Sequence, residues 1–203
     1  LYEELKADGL PLERIDLGGG LGIVYNQEEP PSVAAYAGVV REVFHGLDAQ
    51  FVFEPGRRIA GLAGVLVTKV ITEKQTATKR FVIVDAAMND LIRPALYDAY
   101  HPIQPETAPD ADTEWIEADL VGPICESTDQ FAANRPLPPL LADDMLVIGA
   151  AGAYGAVMAC EYNGRPRVPE VLVRGSDWAV VRRRPTYEEM LAAQNLPPWL
   201  EEA

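Results

Sequence analysis

The sequence pattern changes at Gly61, and this change limits the folds that the chain can adopt. Before Gly61, a short strand near residues 14–17 leads into a glycine-rich loop. A helix capped by Ser32 is predicted over residues 33–46, and a second strand, Phe51–Phe53, leads into another loop. This order of strand, loop, helix, strand and loop is typical of a parallel α/β unit.

After Gly61, short apolar segments alternate with turn-forming residues, which predicts an antiparallel β domain, either a barrel or a sandwich. The predicted strands are Leu62–Ile71, Arg80–Val84, Thr113–Leu120, Met145–Ala150, Tyr154–Tyr162, Glu170–Val173 and Trp178–Arg183. Gly175–Ser176 predicts a two-residue hairpin loop, and the Pro- and acid-rich segment Ile103–Asp112 predicts a solvated loop. A capping box predicts a final helix over Tyr187–Gln194.

Composition excludes several classes of partner. The net charge of -14 argues against nucleic acid or an anionic membrane surface. No apolar run approaches the roughly 20 residues that cross a bilayer, and no secretory signal is visible. Cys125 and Cys160 favour reduced thiols in a cytoplasmic protein over a disulfide. His45 and His101 lack the spacing of a zinc site, so no metal is expected.

Two loops are candidates for binding an anion. Gly18–Gly22 follows the first strand, and its glycines allow backbone amides to approach a phosphate closely. A tight turn is the alternative, because Ile23 stands where a dinucleotide-binding loop has its third glycine. The sequence EPGR follows the second strand, where Arg57 could grip an anion and Glu54 could pair with a protonated ring nitrogen. A surface salt bridge beside a turn is the alternative there.

These loops are followed by MNDLIRPALYDAYHPI from Met88, GPICESTD from Gly122 and GAYG from Gly152. In this set and order, the chain resembles the diaminopimelate decarboxylase family, whose members are fold-type III enzymes dependent on pyridoxal phosphate (PLP). The resemblance extends from about Ile15 to Val173. It implies a PLP-binding (β/α)₈ barrel followed by a β domain, in homodimers with shared active sites at the subunit interface.

The resemblance also implies three regions in the chain. Residues 1–61 would be the C-terminal part of the PLP-binding (β/α)₈ barrel. Residues 62–183 would be the antiparallel β-barrel or β-sandwich domain, and residues 184–203 a C-terminal helix and tail.

A set of cofactor-binding residues follows from the resemblance, namely Gly19, Gly20, Glu54, Pro55, Gly56, Arg57 and Tyr154. The glycines and Arg57 would bind the PLP phosphate, and Glu54 would keep the pyridine nitrogen protonated, which improves the ring as an electron sink. Tyr154 would reach both the phosphate and the substrate. The alternative for Tyr154 is a core tyrosine of the β domain.

Catalytic and substrate-binding residues are implied in the same way. Cys125 would return a proton to the substrate carbon, although a free cysteine is more usually a small buried hydrophobe. The substrate-binding residues would be Arg57, Arg93, Tyr97, Glu126 and Tyr154. Arg93 and Tyr97 are spaced for one helical face. Glu126 would accept the distal ammonium. Relatives acting on ornithine or arginine carry aspartate at its position, which favours diaminopimelate.

The implied reaction is PLP-dependent decarboxylation of meso-2,6-diaminopimelate to L-lysine and CO₂, the last step of lysine biosynthesis. One alternative is a related decarboxylase of carboxynorspermidine, ornithine or arginine. Another is a non-catalytic β domain that serves dimerisation. The family's Schiff-base lysine lies on the first barrel strand, and none of Lys6, Lys69, Lys74 and Lys79 has that setting. We therefore expect a fragment that lacks the N-terminal barrel portion and is inactive alone, with only its β domain well formed.

Overall fold

The first part of the chain forms a small parallel sheet flanked by helices. The computed structural model describes residues 1–201. Strands β1 (Arg14–Asp16) and β2 (Gln50–Val52) pair in parallel. They are connected by helix α2 (Val33–Val43), which begins where the Ser32 hydroxyl accepts a hydrogen bond from the Ala35 N–H. Two strands cannot close a barrel, so residues 1–201 contain no complete (β/α)₈ barrel, and the assignment of residues 1–61 to part of one stays a prediction.

The second part is a six-stranded sheet with the order β5-β8-β3-β4-β6-β7. These strands are β3 (Leu66–Gln75), β4 (Arg80–Val84), β5 (Ile103–Pro105), β6 (Ile116–Val121), β7 (Gln130–Leu137) and β8 (Met145–Ile148). All neighbours are antiparallel except β4 and β6, which pair in parallel. The prediction of an antiparallel domain is therefore wrong in this respect, and the sheet is mixed.

The remaining elements are short. They are helices α1 (Tyr2–Ala7), α3 (Gly56–Ala60), α4 (Arg93–Tyr97), α5 (Tyr187–Ala192) and α6 (Pro198–Glu201), 3₁₀ turns at Gly61–Ala63 and Tyr162–Gly164, and strands β9 (Glu170–Arg174) and β10 (Asp177–Arg182). β9 and β10 form the predicted hairpin, in which Gly175 has a φ of +61°. The capping box of α5 is also confirmed. The predicted tail ends with residues 202 and 203, which lie outside the described residues.

The buried core belongs to the six-stranded sheet. Its fully buried apolar side chains are Val70, Val82, Val84, Leu91, Leu120, Leu137, Leu146 and Ile148. Arg80 is buried beside them because its guanidinium pairs with Glu73 and donates to the Pro138 carbonyl at 2.7 Å. Helices α1, α2 and α3 contain no buried residue. The apolar core is thus built after Gly61, with Ile23 the buried apolar residue contributed from before it.

Two predicted segments differ from the structure, and one strand was not predicted. β5 begins the segment Ile103–Asp112 that was predicted to be a loop, and β7, which contains Pro136, was not among the predicted strands. Both are the edge strands of the sheet, where a proline removes no ladder hydrogen bond. The predicted strand Tyr154–Tyr162 is a series of turns, and it begins with Tyr154 in the left-handed region at a φ of +61°.

The two edges of the sheet approach each other. Arg135 on β7 donates a hydrogen bond to the His101 carbonyl, just before β5, at 2.9 Å. Its guanidinium also lies over the Tyr100 ring, 4.0 Å from the centroid. These contacts hold the segment between α4 and β5 against β7. Among residues 1–201, no helix is both long and apolar enough to span a membrane.

Candidate active site

The two glycine-containing loops meet at the carboxyl end of the parallel sheet. The Glu54 N–H donates to the Gly18 carbonyl at 2.8 Å, and the Gly18 N–H donates to the Asp16 carboxylate at 2.8 Å. A Cβ on Gly19 would lie only 2.6 Å from the Glu54 carbonyl oxygen. Gly18 and Gly20 have φ values of +67° and +85°, which favour glycine. The backbones of the two loops are therefore in direct contact, in a conformation that requires glycine.

Glu54 and Arg57 are available to a ligand at this edge. The EPGR loop turns tightly, because the Gly56 N–H donates to the Glu54 carbonyl at 2.9 Å. The Glu54 side chain is exposed, and Arg57 is half-buried on α3. Within residues 1–201, neither side chain takes part in an ion pair or hydrogen bond. Glu54 and Arg57 thus carry opposite charges on one loop and have no ion-pair partner among the described residues. This arrangement suits a ligand that carries both a positive and a negative group.

The GAYG loop packs against the end of α3 through its backbone. The Gly152 N–H donates to the Gly61 carbonyl at 3.1 Å, and the Ala151 N–H donates to the Gly64 carbonyl at 2.8 Å. A Cβ on Gly152 would overlap the Ala60 carbonyl oxygen. These contacts hold the six-stranded sheet against the EPGR segment. They also place Tyr154, which is 45% exposed, beside Arg93.

Arg93 is a buried cation without an acid beside it. Its side chain is 9% exposed, and its Nη1 lies 3.2 Å from Nε2 of His101. The guanidinium lies 4.9 Å from the Tyr25 ring centroid and 5.8 Å from that of Tyr154. No carboxylate among residues 1–201 forms an ion pair with it. A buried charge normally has a partner, so this arrangement is suited to binding an anion.

The loop that carries Cys125 and Glu126 holds its carboxylate in the ionised form. One Glu126 oxygen accepts from the Thr128 N–H and hydroxyl, both at 3.1 Å. The other accepts from the Tyr162 hydroxyl at 3.2 Å. The backbone N–H of Thr128, then its hydroxyl and that of Tyr162, hold the pKa of Glu126 below 4.5. Cys125 beside it is an exposed free thiol.

Asp129 fixes the backbone of this loop from inside. Its carboxylate is buried and accepts from the Ile124 N–H at 3.0 Å and the Met88 N–H at 2.7 Å. A Cβ on Gly122 would collide with the same carboxylate. Burial raises the pKa of Asp129 above 3.8. Cys125 directly follows Ile124, whose backbone N–H is bound by the buried Asp129 carboxylate. This hydrogen bond fixes the position of the backbone that carries the thiol.

The structure assembles the predicted site residues into three groups. Gly19, Gly20 and the EPGR residues form the first, Arg93 and Tyr154 the second, and Cys125 and Glu126 the third. Among residues 1–201, no hydrogen bond or ion pair joins the third group to the other two. Tyr97 follows Arg93 on α4, but it is 62% exposed.

Sequence reasoning missed four residues of these groups, namely Tyr25, His101, Asp129 and Tyr162. His101 and Asp129 lie inside the motifs MNDLIRPALYDAYHPI and GPICESTD, so their place in a motif was an available signal. Tyr25 and Tyr162 carry no such signal, because only the fold brings them to Arg93 and Glu126.

The lysines of the chain stand apart from these groups. Lys6 lies in α1, Lys69 and Lys74 lie in β3, and Lys79 lies in the turn before β4. Lys69 pairs with Asp143 at 2.9 Å, and none of the four contacts the glycine loop or EPGR through a hydrogen bond. The described chain therefore offers no lysine for a Schiff base at this edge. Residues 1–201 also contain no group of three or more His, Cys, Asp or Glu side chains that could hold a metal.

Fold and sequence together define the class of protein. Residues 23–152, more than half of the chain, match the family described as "Pyridoxal-dependent decarboxylase, C-terminal sheet domain". The chain belongs to this family of pyridoxal-dependent decarboxylases.

Within the family, the chain is similar to diaminopimelate decarboxylases. It is 50% identical over 198 residues to that of Zymomonas mobilis, covering 97% of this chain and 46% of the relative. It is 48% identical over 198 residues to that of Pseudomonas aeruginosa, covering 98% and 47%. The crystal structure of the Helicobacter pylori enzyme, complexed with L-lysine, superposes with a TM-score of 0.87 at 40% identity, covering 95% and 47%. The chain thus spans about half the length of the relatives that it matches.

Proposed function

We propose that this chain forms part of an enzyme that decarboxylates meso-2,6-diaminopimelate to L-lysine and CO₂ with PLP as cofactor. This reaction is the last step of lysine biosynthesis, and we propose that it takes place in the cytoplasm. The observation that carries the proposal is Arg93, a buried cation that lacks an acidic partner among the described residues. A substrate with a second carboxylate supplies that partner, whereas ornithine, arginine and their products do not.

The residues at the edge of the parallel sheet fit the cofactor. The close backbone contact between Gly19 and Glu54 excludes a side chain on Gly19, whereas a Cβ on Gly20 would have no atom within 4 Å. Gly19, Gly20, Pro55 and Gly56 would line the phosphate, with Arg57 supplying positive charge and Tyr154 a hydroxyl. Glu54 would accept the proton of the pyridine nitrogen. When bound, PLP supplies an electron sink for the carbon that loses its carboxylate.

The side chains around the substrate would act on its two ends. Arg93, together with Arg57 and Tyr97, would bind the distal carboxylate, and the ionised Glu126 would accept the distal ammonium. The Cys125 thiol would deliver a proton to the substrate carbon.

We further propose a homodimer with shared sites. Cys125 and Glu126 stand on a loop that no hydrogen bond or ion pair joins to Arg93 or Tyr154 within one described copy. A second copy that presents this loop would complete the site. Because a two-fold interface is reciprocal, two such sites would form at once.

The substrate is tested by measuring CO₂ release from the PLP-loaded holoenzyme with diaminopimelate, ornithine, arginine and carboxynorspermidine. We expect turnover of diaminopimelate and little of the others. Cys125→Ala should lower kcat by about 10²- to 10⁴-fold, the usual contribution of a positioned proton donor, while Cys160→Ala serves as the matched control. Faster decarboxylation of ornithine than of diaminopimelate would refute the proposal. Unchanged kcat in Cys125→Ala would leave this loop a purely structural role, as in a dimerisation domain.

The shared site is tested by mixing two inactive variants, Cys125→Ala and Arg57→Ala. If each site uses Cys125 of one copy and Arg57 of the other, random re-association restores one intact site in each mixed dimer. About a quarter of the wild-type activity should then return. No recovery, with mixed dimers confirmed by mass spectrometry, would place both residues in the same copy.

A further inference from the structure

His101 is a buried imidazole whose proton position is fixed by its two neighbours. It is fully buried, with Nδ1 2.9 Å from the Gly149 carbonyl oxygen and Nε2 3.2 Å from Nη1 of Arg93. A carbonyl only accepts and a guanidinium only donates. Nδ1 must therefore carry the proton and donate to Gly149, and Nε2 must be the acceptor for Arg93.

A charged imidazole does not fit this arrangement. A proton on Nε2 would face the guanidinium N–H and abolish the hydrogen bond. The charged groups near the ring are Arg93 and Arg135, and both are cations. Burial lowers the pKa of His101 below 6.5, and these two arginines lower it further. The Tyr25 ring packs edge-on against the imidazole at 5.6 Å between centroids and contributes no acceptor to it.

We propose that His101 is a positioning residue that aims the Arg93 guanidinium at the distal carboxylate of the substrate. The proposal rests on the proposed function of the site and adds a residue that acts through Arg93. Arg93 has aromatic rings on its flanks, from Tyr25 and Tyr154, which restrain the guanidinium without orienting its N–H groups. The hydrogen bond to Nε2 of His101 supplies that orientation. The remaining N–H groups are then left for the carboxylate.

Two amide variants separate this role from a general structural one. In His101→Gln, the amide oxygen can take the place of Nε2 and keep an acceptor for Arg93. In His101→Asn, the shorter amide can take the place of Nδ1 and keep the donor to Gly149, but it cannot reach Arg93. A positioning role therefore predicts that glutamine is the better replacement. A purely structural role, exercised through Gly149, predicts that asparagine is.

The ligands for this test are L-lysine, which keeps one carboxylate, and cadaverine, the same diamine without it. Binding to the holoenzyme is measured by calorimetry. We expect His101→Asn to weaken lysine binding about tenfold, because a hydrogen bond to a charged group is lost. His101→Gln should stay within about threefold, and cadaverine binding should be unchanged in both variants. Equal loss in the two variants, or an equal loss of cadaverine binding, would overturn the proposal.

A second measurement does not depend on any ligand. ¹⁵N NMR of the imidazole in the wild-type protein reports which nitrogen carries the proton. We expect a protonated Nδ1 and an unprotonated Nε2 from pH 6 to 8, and in Arg93→Gln a change confined to the Nε2 signal. A proton on Nε2 would overturn the role of His101. If the wild type fails to bind lysine, the proposed function fails, and this spectrum decides the assignment of His101 alone.

Discussion

A methyl group added at Gly152 should separate the GAYG loop from the end of α3. The Cβ of Gly152→Ala would overlap the Ala60 carbonyl oxygen and lie 2.7 Å from the Gly64 nitrogen. Both neighbours are backbone atoms, so neither can rotate away. The loop must shift, which breaks the hydrogen bond from the Gly152 N–H to the Gly61 carbonyl and strains the one from Ala151 to Gly64.

The free-energy cost of Gly152→Ala has two contributions, a lost hydrogen bond and overpacking. A lost hydrogen bond costs about 1 kcal/mol, and overpacking costs about 1–3 kcal/mol. We expect Gly152→Ala to lower the free energy of unfolding by about 3 kcal/mol, which for a chain of this size lowers Tm by about 6–12 °C. The assay is thermal unfolding followed by circular dichroism, with urea unfolding as the second probe.

Gly38→Ala is the matched control for that experiment. Gly38 lies inside α2, has no atom within 4 Å of its would-be Cβ, and has no positive φ. Alanine there should raise stability by about 0.5–1 kcal/mol, because it is the better helix former. If Gly152→Ala melts at or above the temperature of Gly38→Ala, the backbone contact between the GAYG loop and α3 does not exist in solution.

Two further predictions concern carboxylates whose pKa values are lowered by hydrogen bonds. Tyr162→Phe should raise the pKa of Glu126 toward 4.5, because it removes one of the hydrogen bonds that lower this pKa. The same variant should raise KM for diaminopimelate several-fold without a matching loss of kcat. A changed kcat with constant KM would contradict this prediction. Arg183→Gln should raise the pKa of Glu189 from about 2 toward 4.5, measured by NMR titration, while Arg184→Gln should not. Since the folded-state pKa of Glu189 is depressed, the stabilisation of α5 by this pair is complete above pH 4.5 and is lost as the pH falls toward 2.

Local patterns predicted most of the elements that depend on neighbours in sequence. Ser32 predicts the start of α2, the capping box predicts the start of α5, and Gly175 predicts the turn of the last hairpin. The strands of the core, such as β4, are visible as apolar runs. Each of these depends on side chains within a few residues, so the sequence contains the information.

The parts that could not be predicted depend on the position of a strand in the sheet. Pro105 and Pro136 argue against strands in the sequence, and only the sheet order shows that β5 and β7 are edges. Parallel pairing between β4 and β6 is likewise invisible locally, because apolar alternation does not encode strand direction. The apolar segment after Tyr154 predicts a strand, but it forms turns in which Val157 is 83% exposed.

The candidate site also has one part that local sequence predicts and another that only the fold determines. The glycine loop and EPGR follow consecutive parallel strands, so their meeting at one edge was predictable. The contact between Arg93 and His101 was not predictable. Helix α4 begins at Arg93 and ends at Tyr97, and the chain then turns at Asp98, which has a φ of 53°, before it reaches His101. Residue roles in the PLP and substrate sites stay predictions.

The parallel pairing of β4 with β6 has a consequence for where this chain can change in length. Parallel neighbours cannot be joined by a tight hairpin, so the polypeptide must travel from one end of the sheet to the other through residues 85–115. That obligatory detour is also the stretch that carries Arg93, Tyr97 and His101. Length changes in the exposed stretch 106–113, downstream of β5, can therefore be accommodated without changing the register between β4 and β6.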